Sequence, residues 1–225
     1  MKSASFAYYD PASLDEAAGL AATLKDAKIL AGGQSLVPMM NMRFVQPSHV
    51  IDINGVAELS AIKTSDSSVQ CGAMVRQAEL MRSDVIARDL PVMIEALSHV
   101  GHFQTRNRGT IGGSLCHLDP AAELAAVAAL YDAEITVRNG DGLRTVAFSD
   151  WPLAYMTPSL APEEIASEIS FPLWPQKPGY AFVEFARRHG DFAIVAVGCL
   201  LALDGSGSIS RSAVAVAGAD QVVRR

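Results

Sequence analysis

Two short stretches hold residue types whose spacing suggests chemistry rather than packing. The first, Ala31-Gly32-Gly33-Gln34-Ser35-Leu36, follows the apolar run Lys28-Ile29-Leu30. Adjacent glycines carry no Cβ penalty at positive φ, and successive backbone N–H groups in such a turn converge on one point, which holds a phosphate without a charged side chain. A Gly-Gly pair also serves as a plain tight turn, and this segment alone leaves both readings open. The sequence has neither Gly-x-Gly-x-x-Gly nor a Gly-Lys-Ser/Thr ending, so the common dinucleotide fingerprint and the P-loop are excluded.

The second stretch is Arg108-Gly109-Thr110-Ile111-Gly112-Gly113-Ser114-Leu115, followed by Asp119-Pro120-Ala121-Ala122-Glu123-Leu124. Its glycine pair is again flanked by small hydroxyl residues. Asp119 reads as the N-cap of a following helix with Pro120 at its first position. Glu123, one turn in, is placed to accept hydrogen bonds from a ribose diol. Two such glycine turns together fit the two ends of one pyrophosphate.

Other reactive residue types have plainer accounts. A zinc site would need His99, His102, Cys116 and His117 arranged tetrahedrally. Cys116 and His117 are adjacent and point opposite ways in an extended chain, so no metal site is assigned. Asp191 with His189 reads as a solvated polar turn and Arg187-Arg188 as surface. No acid, base or nucleophile is nominated.

The elements that must position these stretches follow from periodicity. Ala17, Leu20, Ala21 and Leu24 repeat at helical spacing after Pro11 and Ser13. Ala78–Ala87, Pro91–Val100 and Ala121–Tyr131 also read as helices. Strands are expected at 28–31, 50–53, 68–71 and 133–137, the last closed by the turn Asn139-Gly140-Asp141-Gly142. Prolines from Pro152 to Pro178 mark a subdomain boundary near Pro172–Gly179. Strands and helices mix without regular alternation, which predicts an α+β fold.

Composition sets outer bounds. In 225 residues, 18 Lys and Arg against 24 Asp and Glu leave a formal charge of −6. No basic run is present, which argues against a nucleic-acid partner. The three cysteines, Cys71, Cys116 and Cys199, are scattered; they write no disulfide framework and too few thiolates for an iron–sulfur cluster. No apolar run approaches the roughly 20 residues of a membrane span, and Met1–Asp10 lacks a signal-peptide pattern. Cytoplasmic localisation is the expectation.

AGGQSL, then RNRGTIGGSLCHLDPAAEL, then FARRHGDFA, in that order over nearly the whole chain, resembles the FAD-binding medium subunit of the molybdenum hydroxylases, the group of carbon monoxide dehydrogenase and xanthine dehydrogenase. The resemblance implies a two-part FAD-binding domain of the vanillyl-alcohol-oxidase (PCMH) type over residues 1–172, divided near 55, and a small α+β C-terminal domain over 173–225. It implies that Ala31, Gly32, Gly33, Gln34, Ser35 and Leu36 wrap the FAD pyrophosphate, and that Thr110, Ile111, Gly112, Gly113 and Ser114 form the second wall. Glu123 is implied as an acid on the cofactor, and Ile165 as a backbone contact. Some relatives carry a Lys near Glu184, so the charge is reversed here. Ser212–Gly218 resembles a central strand of a C-terminal domain that usually continues further, which makes that domain look incomplete.

The implied function is electron transfer within a hetero-oligomer. An iron–sulfur small subunit would deliver electrons to FAD, a molybdenum-cofactor large subunit would hydroxylate the substrate, and NAD or a quinone would accept the electrons. A self-sufficient flavin oxidoreductase and a non-enzymatic assembly module are the alternatives. The first would reduce its own flavin with an organic substrate, and the second would stay colourless with FAD.

Overall fold

A computed structural model describes all 225 residues. The first unit runs β1 (Ala7–Tyr9), α1 (Leu14–Thr23), β2 (Ala27–Leu30), α2 (Leu36–Asn41) and β3 (His49–Asp52). Ser13 caps α1 by accepting from the Glu16 N–H at 3.2 Å. The alanines at helical spacing, Ala17, Ala18 and Ala21, are its buried residues. β1 and β2 both pair in parallel with β3, giving the order β1-β3-β2. Ile51 at the centre of β3 is fully buried.

The second unit is larger. It continues β4 (Ile62–Thr64), β5 (Ser68–Gly72), α3 (Gln77–Leu80), α4 (Asp84–Asp89), α5 (Pro91–His99), α6 (Phe103–Arg108), α7 (Ile111–His117) and α8 (Glu123–Leu130). Then come β6 (Glu134–Asn139), β7 (Gly142–Ala147), β8 (Pro152–Ala154), β9 (Thr157–Pro158) and β10 (Ile165–Pro172). Five of these strands form an antiparallel sheet in the order β4-β5-β10-β6-β7. The single helix expected over Ala78–Ala87 is two, because the Ser83 hydroxyl accepts from the Ile86 N–H and starts α4 afresh.

Every residue of α8 after Glu123 is buried, as a helix apolar all round must be. Its N-cap is Ala122, which corrects the expected start at Asp119. The Asp119 carboxylate instead accepts from the Ala121 N–H at 2.9 Å, and its carbonyl accepts from Ala122. Pro120 is therefore in a turn, and the helix begins one turn later.

β11 (Gly179–Phe185), β12 (Val195–Leu203) and β13 (Ile209–Ala217) form an antiparallel sheet in chain order. This segment supplies the strands, and α5 and α8 are its helical cover. Gly198 makes that approach possible, since a Cβ there would stand 2.6 Å from Leu130 Cδ1. Phe182, Ala196, Leu200, Ala213 and Ala215 join the same apolar core as Leu97, Leu124 and Phe171. β13 is an edge strand of this sheet, and its Val216 exchanges two backbone hydrogen bonds with Arg224.

A smaller core joins the first two units. Ala17, Ala21, Ile51 and Ile53 pack there with Leu59, Met74 and Ile165. Trp151, fully buried, donates its indole N–H to the Leu115 carbonyl at 2.8 Å and so fixes α7 from behind. Trp151→Phe leaves that carbonyl unsatisfied. It is expected to destabilise the chain by about 1–3 kcal/mol, read as a lower urea unfolding midpoint.

Candidate functional site

The first glycine segment leaves β2 and enters α2. Gly33 has φ +72, a conformation that L side chains rarely adopt. The Gln34 amide donates back to the Gly32 carbonyl at 3.1 Å, and Asn54 Nδ2 holds the Ala31 carbonyl at 2.8 Å. The segment's carbonyls are thus engaged. Its donors are not: no backbone N–H from Ala31 to Leu36 donates within the protein, although Gly32 is buried. Buried N–H groups are nearly always paired, so the Gly32 amide and its unspent neighbours are available to a ligand. The Ser35 hydroxyl, which caps nothing, is free beside them.

The second segment differs from the expected loop. Residues 111–117 are helical, and Thr110 is the cap, its hydroxyl accepting from the Gly113 N–H at 3.0 Å. Ile111 N–H donates to Val75, Gly112 N–H to Ala73 and Ser114 N–H to Thr110. These amides are committed to the protein, so this segment is a wall and not a second open amide turn. Its glycines serve close approach: a Cβ on Gly112 would lie 2.5 Å from the Ala73 Cβ. The Ser114 hydroxyl makes no hydrogen bond within the chain.

The two segments meet. A Cβ on Gly32 would lie 2.3 Å from the Arg108 carbonyl oxygen and 2.9 Å from Gly109 Cα, and one on Gly113 would lie 3.7 Å from the Ala31 Cβ. Side chains that motif reading missed hold them together. Arg76 donates to the Asn54 side-chain carbonyl with one nitrogen and to the Arg108 carbonyl with another. The Gln77 carbonyl oxygen, also here, is buried without a partner.

The remaining sequence-predicted residues divide. Ile165 begins β10 with its side chain in the small core, against which Ala31 also packs, so it underlies the turn. Glu123 opens α8. Burial, with the carboxylates of Glu184 and Asp119 nearby, pushes its carboxyl up to about 7. Burial raises Glu184 as well, and its Oε2 has no partner. Burial pushes the Cys116 thiol up to about 12, leaving it neutral at physiological pH, and His117 is lowered by the same cause.

Residues 4–174 match the family described as the FAD binding domain in molybdopterin dehydrogenase. The chain belongs to that family, and FAD is its cofactor. It is 42% identical over 219 residues to the 6-hydroxypseudooxynicotine dehydrogenase complex subunit alpha of Paenarthrobacter nicotinovorans, covering 97% of this chain and 74% of the relative. It is 40% identical to the nicotine 6-hydroxylase medium subunit of the same organism, covering 100% and 78%. A solved carbon monoxide dehydrogenase chain from Hydrogenophaga pseudoflava superposes with a TM-score of 0.96 at 35% identity, covering 100% of this chain and 78% of that one.

The residues present fit FAD. Uncommitted amides, two free hydroxyls and contacts a Cβ would obstruct are what a diphosphate needs from a main chain. Gly33→Val forces a β-branched residue to φ +72, and Gly113→Val brings a Cβ within 2.7 Å of Thr110 Oγ1. Both variants are expected to lose FAD on gel filtration while far-ultraviolet circular dichroism is unchanged; retained yellow colour would contradict the assignment.

Glu123 also makes stability pH-dependent. Its folded-state value of about 7 lies above the ordinary 4.5, so the folded state binds more protons between them. Stability is therefore lost as pH rises through that window, by up to about 3 kcal/mol. Glu123→Gln should flatten the urea-midpoint profile of the FAD-free protein between those limits; an unchanged profile would refute the cause.

Proposed function

We propose that the chain is the electron-transferring FAD subunit of a molybdenum hydroxylase complex. The observation that supports it best is the Ala31–Leu36 turn, whose unclaimed amides face the Gly109–Ser114 wall across a backbone contact only glycine allows. Bound there, FAD supplies the capacity to take electrons singly and release them in pairs. This chain's residues bind and orient. Amides of Gly32 to Ser35 take the diphosphate, the Thr110-capped helix closes the opposite side, and Glu123 meets a sugar hydroxyl. Ile165 contributes through its backbone from beneath.

Residues 1–172 then form the two-part FAD domain, with the strands after Pro172 as a C-terminal domain docked on α5 and α8. The names of the relatives, a complex subunit alpha and a medium subunit, support membership of a multi-subunit enzyme. An iron–sulfur small subunit delivers the electrons, a molybdenum-bearing large subunit hydroxylates the substrate, and an external NAD or quinone takes the electrons away. No helix is long and apolar enough to cross a membrane.

The test separates a subunit from a self-sufficient enzyme. Purified alone with FAD, the chain is expected to be yellow, reducible by dithionite, and unaffected by N-heterocyclic or aldehyde substrates. With its partner subunits restored, one such substrate should bleach the flavin. Bleaching of the isolated chain by an organic substrate would overturn the proposal.

A further inference from the structure

We propose that Arg76, acting with Asn54, is a positioning residue for the cofactor: its planar fork sets the gap between the Ala31–Leu36 amide turn and the Gly109–Ser114 wall. This rests on the reading of that gap as the FAD site.

A continuous relay crosses the join of the two units. Tyr8 donates its hydroxyl to Asp52 at 2.7 Å, and the other Asp52 oxygen accepts from the Asn54 N–H at 2.9 Å. Asn54 Nδ2 holds the Ala31 carbonyl at the start of the glycine turn. Its side-chain oxygen accepts from Arg76, which also reaches the Arg108 carbonyl. Arg76 is itself fixed to the second unit, since its N–H donates to Glu79 at 3.0 Å and it bridges to Thr110. The relay therefore ties one end of each glycine segment to one guanidinium.

The chemistry of the partners is unusual for a half-buried cation. Both acceptors are neutral oxygens, and Arg76 takes part in none of the ion pairs of the chain. Buried charge generally persists where it is paired. Burial and the adjacent Arg108 weigh against the charged form, and the carboxylates of Glu79 and Asp52 offset them in part without an ion pair to the guanidinium. A guanidinium spans two carbonyls in one plane, whereas a lysine ammonium is a single point on a flexible stem. Sequence reading had no access to this group, because Asn54, Arg76 and Arg108 are far apart in the chain.

The full chain is titrated with FAD, following flavin fluorescence quenching and the visible circular dichroism of the bound flavin. Arg76→Ala is expected to weaken FAD binding about 10- to 100-fold and to alter the dichroism. Arg76→Lys should not restore either one. Asn54→Ala should show the same dichroism change, and the double variant should bind no more weakly than the weaker single one. Wild-type affinity in Arg76→Ala or in Arg76→Lys, or additive losses in the double variant, would overturn the positioning role. If Arg76→Ala does not fold, Asn54→Ala decides, and wild-type affinity there overturns the role. Failure of the unsubstituted chain to bind FAD would instead overturn the site itself, and the positioning role with it.

Discussion

The structure turns on a contact between two stretches of main chain. Gly32 lies so near the Arg108 carbonyl and Gly109 Cα that any Cβ there would overlap them. Close-packed backbone is the only way to bring an open amide turn against a second wall without side chains filling the space between. Everything that positions the site serves this approach. The small core of Ala17, Ile51, Ile53, Met74 and Ile165 holds the parallel three-stranded unit to the antiparallel sheet. Trp151 holds α7 from the other side through the Leu115 carbonyl.

The two walls divide the work unequally. The first keeps its amide donors unspent, while the second spends its donors on Val75, Ala73 and its own Thr110 cap. A wall whose hydrogen bonds are internally satisfied is rigid before any ligand arrives, so the ordering cost of binding falls on the first turn alone. Glu123 opens α8 and Glu184 lies on β11, and their burial favours protonated carboxyls.

Much of this was legible in the residues. The Gly-Gly turn after β2 and the start of α1 at Ser13 are local signals, and local physics decides them. The helix in the second glycine segment is masked because Gly112 and Gly113 suggest a loop; Thr110, a good N-cap residue ahead of Ile111, is the cue the sequence holds. Asp119 carried an equally good cap signal, but Pro120 and Ala121 turn instead of winding, and tertiary burial of α8 sets its start at Glu123. Asn54, Arg76 and Gln77 belong to no motif, since only folding brings them to the Arg108 carbonyl. The closeness of Gly32 to Arg108 is likewise a property of the fold, which no spacing in the sequence states.

The claim that main-chain amides of the first turn hold the diphosphate is tested most directly by amide resonances of the isotopically labelled chain during titration with FAD. The amide protons of Gly32, Gly33, Gln34 and Ser35 should move downfield on saturation, as N–H groups do when they gain a charged acceptor. Gly112, whose N–H already donates to Ala73 at 2.9 Å, should stay in place. Unmoved resonances in the Gly32–Ser35 turn at full occupancy would contradict the account.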